Sequence, residues 1–250
     1  MMNIKPQMTL LKAQASYRGD PTTIFHQLCG ARPATLLLES AEINSKQNLQ
    51  SLLVIDSALR ITALGHTVSV QALSANGAAL LPLLDEALPP EVRNQARPNG
   101  RELTFPAIDA VQDEDARLRS LSVFDALRTL LTLVDSPADE REAVMLGGLF
   151  AYDLVAGFED LPALRQDQRC PDFCFYLAET LLVLDHQRGS ARLQASVFSE
   201  QASEAQRLQQ RLEQLQAELQ QTPQPIPHQT LENMQLSCNQ SDEEYGAVVS

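Results

Sequence analysis

Glu39 and Ser40 close the apolar run Leu36-Leu37-Leu38, so a carboxylate and a hydroxyl stand at the end of a strand-like segment. A polar rim on an apolar pocket has this composition, because small ligands are held by apolar walls and oriented by a few polar groups. A strand that simply surfaces at Glu39 has it too. Side chains alternate along a strand, so Glu39 and Ser40 face opposite sides, and one lies on the side that Leu36 and Leu38 do not line. A second segment, Gly147-Gly148-Leu149-Phe150-Ala151-Tyr152-Asp153, carries paired glycines inside an apolar run. Such glycines weaken a strand but let another backbone, or the contents of a site, come close.

Other reactive side chains are less suggestive. His26, His66, His186 and His228 are far apart in sequence and read as surface or packing residues. Cys170 and Cys174 have three residues between them and no second Cys/His pair nearby, which favours strand-edge thiols over a metal site. Asp113-Glu114-Asp115 reads as the solvated start of a helix, where acidic groups complement the dipole. Gly147-Gly148 is not a dinucleotide loop, and neither a phosphate-binding Gly-rich run ending in Lys-Ser/Thr nor a Gly-x-Ser-x-Gly elbow occurs.

The chain has 250 residues, with 19 Lys+Arg against 32 Asp+Glu and a net charge of −13. Nucleic acid is an unsuitable partner, since neutralising phosphates takes a surplus of Lys and Arg. The longest apolar stretch, residues 143–152, is half of the roughly 20 residues a membrane span needs. No membrane partner is expected. The first residues lack a secretory pattern, and the four sparse cysteines read as reduced thiols, so a cytoplasmic location is expected.

The elements that must position these residues follow from patterning. Asp20-Pro21 opens a short helix that Gly30 closes by a left-handed exit. Strands are predicted over residues 34–38, 51–56, 60–64 and 67–73, with Gly65-His66 as a tight turn. Asn76-Gly77 ends the series, residues 78–88 form a helix stopped by Pro89-Pro90, residues 91–100 form a loop, and a strand lies near 102–105. A long helix is expected from the stripe Leu118, Leu121, Phe124, Leu127, Leu131 and Val134. Strands over residues 173–185 and 191–199 flank hairpin chemistry, and residues 201–221 form a helix packing on its own domain through Leu208, Leu212, Leu215 and Leu219. The predicted class is α+β, with a mainly antiparallel, sandwich-like sheet and flanking helices. The Pro-rich stretch 222–227 marks a domain boundary. Ser241-Asp242-Glu243-Glu244 is a capping box opening a helix that ends within three turns, as though a second domain were cut at its start.

Three motifs occur in a familiar order: Cys-Gly-x-Arg-Pro-Ala-Thr-Leu-Leu-Leu-Glu-Ser-Ala at residues 29–41, GGLFAYDLVAGFE at 147–159 and CPDFCFYLAET at 170–180. Together they closely resemble the large components (component I) of bacterial anthranilate synthases, of enterobacterial type, among the chorismate-binding enzymes. Asn239 to Tyr245 resembles the point where that family's catalytic domain begins. The resemblance implies a tryptophan-regulatory N-terminal part at residues 1–221, a linker and leading strand at 222–238, and a truncated catalytic domain at 239–250 of a two-domain enzyme.

It further implies a lyase reaction, chorismate and ammonia giving anthranilate and pyruvate with Mg²⁺, in the committed step towards tryptophan. Ammonia would come from a glutamine amidotransferase subunit (component II) in a hetero-oligomer. By the same resemblance Ser40 binds the feedback inhibitor L-tryptophan, with Leu38 and Glu39 lining the same place. Catalytic and Mg²⁺-binding residues would lie outside this chain, which alone would be inactive. A stand-alone amino-acid-binding module and a relative making aminodeoxychorismate are the alternatives.

Overall fold

Long antiparallel strands with mixed apolar and polar faces need a partner on each edge, and the longest two segments find one another. In the computed structural model, which describes residues 5–39, 49–107, 115, 119–136, 140, 142–157, 170–223, 238 and 241–249, strand β3 (Gln50–Leu64) pairs with β8 (Phe173–Asp185) along nearly its whole length. Strands β2 (Leu36–Glu39) and β4 (Thr67–Ala72) pair with the two halves of β3. Strands β7 (Leu146–Phe150) and β9 (Ser190–Val197) do the same on β8. The sheet is extended by β1 (Thr9–Ala15) beyond β9, and by β6 (Gly100–Thr104) and β5 (Arg93–Arg97) beyond β4. All these ladders are antiparallel. The α+β reading holds, with one curled sheet supplying the layers.

Residues 51–56 and 60–64, expected as two strands, are one. The pairing with β8 slips between Val54 and Leu59, so the break in the apolar pattern at Asp56-Ser57 is a bulge within a strand. The slip changes which side chains face the helices. Leu182 and Leu184 of β8 join the core under α1 (Pro21–Cys29) and α5 (Ala202–Gln220), whereas Phe173 and Leu177 join the core under α3 (Leu80–Ala87) and α4 (Phe124–Leu131).

Local chemistry explains the helix ends. Thr23 N–H donates to Asp20 Oδ1 at 3.1 Å, and Pro21 fills the first helical position of α1. Gly30 has φ 57°, positive as expected, but ψ −127° places it outside the left-handed helical basin, in a region open essentially to glycine. Leu208, Leu212, Leu215 and Leu219 of α5 are at most 1% exposed, so this helix does pack on its own sheet. Gly65 (φ 56°) makes the predicted two-residue turn between β3 and β4.

Three expectations need correction. Asn76-Gly77 does not terminate the strands: it lies within a single helical turn, α2 (Ala75–Ala78). There Asn76 is fully buried, donating to Ser196 O and Glu179 Oε1 and accepting from the N–H groups of Phe198 and Ser199. The loop at 91–100 contains β5, which the sequence concealed because all five of its residues are exposed and none alternates with an apolar partner. The helical stripe at 118–134 is only partly realised. Helix α4 buries Ala126, Leu127 and Leu130 and turns Leu131 outward, while residues 113, 114 and 118 lie outside the described residues. The spacer at 224–227 lies outside them too. Helix α6 (Asp242–Val249) carries the predicted capping box, Glu244 N–H donating to Ser241 Oγ at 3.2 Å and Ser241 N–H to Glu244 Oε2 at 2.8 Å.

Candidate ligand site at the end of β2

The turn that leads into β2 is tied down by Arg32. Its guanidinium donates to the carbonyls of Leu28 and Ile55 and to Asp56 Oδ1, joining the end of α1 to the bulge of β3. Ala34 then adopts φ 60°, and its carbonyl accepts a 2.7 Å bond from Ser57 Oγ. The strand starts two residues later, with Leu36 opposite Val54 and Glu39 opposite Ser51.

Alternation divides the strand between two environments. Leu37 packs into the core under α1 and α5, and Glu39 shares that face because it stands opposite Ser51 as Leu37 stands opposite Leu53. Leu36 packs on the other face with Val54, Leu181, Val183 and Met145. Here the second glycine-bearing segment arrives. A Cβ at Gly147 would stand 3.1 Å from Leu36 Cδ1 and 3.5 Å from Leu38 Cδ1, and one at Gly148 only 2.2 Å from the Cys174 carbonyl oxygen. Strands β2 and β7 pair on opposite edges of the β3–β8 pair, so the curl of the sheet brings together the two segments that the sequence singles out. The paired glycines are there for close approach. Leu38 is half-buried and Glu39 exposed, giving an apolar wall on one face and a carboxylate at the rim of the other. Ser40 lies outside the described residues.

Sequence reasoning missed two polar networks, one at the bulge beside the start of β2 and one beside its Glu39 end. Arg211 and Arg207 of α5 reach down to carboxylates at the bulge. Arg211 Nε donates to Asp56 Oδ2 at 2.9 Å, and Arg207 Nη2 lies 3.0 Å from Oε1 of the buried Glu179. Burial pushes the Asp56 carboxyl upward, but hydrogen bonds from Arg211 and Thr180, the Arg211 charge and Arg32 outweigh it and hold the group below its ordinary value. The second network links Tyr17 OH, the His186 ring and Ser51 Oγ, at 3.0 and 2.7 Å. Neither has a spacing signal, since its members come from strands, turns and helices far apart in the chain. Burial pushes the Cys29 thiol up to about 11, and all four cysteines are free. Among the described residues no three His, Cys, Asp or Glu side chains converge to hold a metal, and Asp56 and Glu179 are engaged by arginines. No helix among the described residues is long and apolar enough to cross a membrane.

A curled antiparallel sheet backed by helices makes the molecule an α+β protein, and the end of its strand β2 is half apolar and half polar. The chain belongs to the chorismate binding enzyme family, whose family model matches residues 91–250. It is 94% identical over 249 residues to anthranilate synthase component 1 of Serratia marcescens, and 59% identical to those of Escherichia coli K12 and Salmonella typhimurium LT2. Each alignment covers 100% of this chain and 48% of the relative, so the chain spans about half the length of the curated relatives it matches. Among solved structures it is similar to anthranilate synthase component I from Streptococcus pneumoniae, with TM-score 0.38, 16% identity, and coverage of 75% of this chain and 32% of that one.

Proposed function

We propose that this chain is the N-terminal, regulatory half of an anthranilate synthase large component in tryptophan biosynthesis. The observation that carries the reading is 94% identity to the Serratia marcescens protein across the whole chain. The complete enzyme is a lyase that joins chorismate and ammonia and releases anthranilate and pyruvate. Its ammonia is made from glutamine by a component II amidotransferase, and its Mg²⁺ is held by residues outside this chain. In this reading residues 1–221 regulate, 222–238 link, 239–250 begin the catalytic domain, and the chain alone is inactive in the cytoplasm.

The end of β2 is the inhibitor site in this proposal. Tryptophan needs an apolar wall for its indole and polar groups for its ammonium and carboxylate. Leu38 supplies the first, Glu39 and Ser40 the second. Because the side chains of Leu38 and Glu39 lie on opposite faces, the ligand sits over the rim of the strand rather than on one face. Inhibition requires tryptophan to bind an inactive arrangement more tightly than the active one.

The test is a hybrid in which this chain is completed with the second half of the Serratia marcescens protein. Anthranilate fluorescence should appear with chorismate, Mg²⁺ and ammonia, and tryptophan should suppress it. Ser40→Phe should abolish the suppression while leaving turnover nearly intact. A parallel loss of both would make Ser40 a folding residue and overturn the assignment of the site.

A further inference from the structure

His186 stands in the turn between β8 and β9, and it touches three parts of the chain. Its backbone N–H donates to Leu49 O at 2.9 Å, at the entry to β3. Its Nε2 lies 2.7 Å from Ser51 Oγ, and its Nδ1 lies 3.0 Å from the hydroxyl of Tyr17, in the segment after β1. The Tyr17 and His186 rings meet edge to face with centroids 5.9 Å apart. Gly189 closes the same turn at φ 62°, a backbone conformation that favours glycine. A neutral imidazole has one donor and one acceptor nitrogen, and a hydroxyl is both, so the chain Tyr17–His186–Ser51 is satisfied in either direction.

Ser51 is fully buried and stands between Glu39 on one side and Leu184 on the other. The pair Glu39–Ser51 is the last rung described between β2 and β3, immediately before Ser40. We infer that Tyr17, His186 and Ser51 form a positioning relay that fixes the end of β2 for its ligand. This rests on the reading of that strand end as a tryptophan site. The relay touches neither the ligand nor the reacting atoms. It holds the last rung, and through it the main chain that presents Glu39, so that binding does not have to order the end of β2.

The experiment uses the same hybrid enzyme, comparing the parent with Tyr17→Phe, Ser51→Ala, His186→Ala and His186→Gln. Losing one hydrogen bond that orders a binding element corresponds to about a fivefold loss of affinity. His186→Ala and Ser51→Ala should therefore raise the tryptophan concentration for half-inhibition about fivefold, with kcat and the KM for chorismate unchanged. Their double variant should be no worse than the worse single one, because both break one chain. Gln reaches to the position of Nε2, so His186→Gln should recover most of the inhibition. Tyr17→Phe removes only a half-buried hydroxyl and should raise the half-inhibition value about twofold, which keeps the test open if His186→Ala does not fold. Unchanged inhibition in Tyr17→Phe and Ser51→Ala, against a parent that tryptophan inhibits, overturns the relay. Loss of kcat in step with inhibition also overturns it, by making these residues general scaffold. A parent that tryptophan does not inhibit overturns the underlying site reading, and the relay with it.

Discussion

Leu37 and Leu38 are neighbours in one short strand, yet they enter unlike surroundings. Leu37 joins a core finished by two helices, where Leu53, Leu182, Leu193 and Leu212 are wholly buried. Leu36 and Leu38 face the smaller cluster inside the curl, where Val54 and Leu181 are buried but Leu52 and Met145 only partly so. Over one strand, the chain spends its packing on one face and leaves the other half-covered beside two glycines. The difference teaches that a finished core and a half-covered surface are divided by the alternation of a strand rather than by distance along it.

The comparison is sharpest where a cavity would be largest. Leu212→Ala, on the finished face, should cost about 3–4 kcal/mol in urea unfolding of the chain, because rigid neighbours cannot close the space. Gly148→Ala should follow at about 2–3 kcal/mol, since its methyl would meet the Cys174 carbonyl oxygen at 2.2 Å and backbone must move. A tolerated Ala there would mean that β7 can shift and that the inside of the curl is soft.

Asp56→Asn comes next, at about 2 kcal/mol near neutral pH, because it removes the charge that Arg211 and Arg32 reach for. Its sign with pH follows from the depressed carboxyl. The contribution is complete above the unfolded value of about 3.9 and is lost as pH falls through the lower folded value. Parent and variant should therefore converge in urea titrations below about pH 4. A constant gap would remove Asp56 from the acid response.

The smallest effects belong to the half-covered face and the thiols. Leu52→Ala should cost about 1 kcal/mol, well below Leu212→Ala, since Leu52 is only partly buried and its site is open to collapse. At pH 8 iodoacetamide should modify the exposed Cys170 and Cys238 promptly. Cys29, buried and with its thiol pushed up to about 11, should react only on unfolding. Rapid labelling of Cys29 would show that α1 opens from the finished face.

Much of this was legible from residue order. Asp20, Pro21 and Gly30 bounded α1, the four leucines of α5 gave its buried face, and Gly65-His66 its turn, because caps, periodicity and tight turns are local devices. The two segments with chemical promise, 36–40 and 147–153, were also picked out by composition. What was hidden was long-range: a charged exposed edge strand without alternation, a bulge that reads as a break between two strands, and a buried asparagine that reads as a turn.

By itself the sequence determined the class of elements, the apolar faces and the resemblance to chorismate-binding enzymes, since each is written in residues a few positions apart. Only the tertiary structure decided that Gly147 packs against Leu36 and Leu38, that α5 clasps the bulge through Arg207 and Arg211, and that His186 reaches Ser51 beside Glu39. Apart from Arg207 with Glu179, these contacts join residues more than 100 positions apart. They arise from the curl and register of one antiparallel sheet, and no local pattern encodes the register of a strand against so distant a partner.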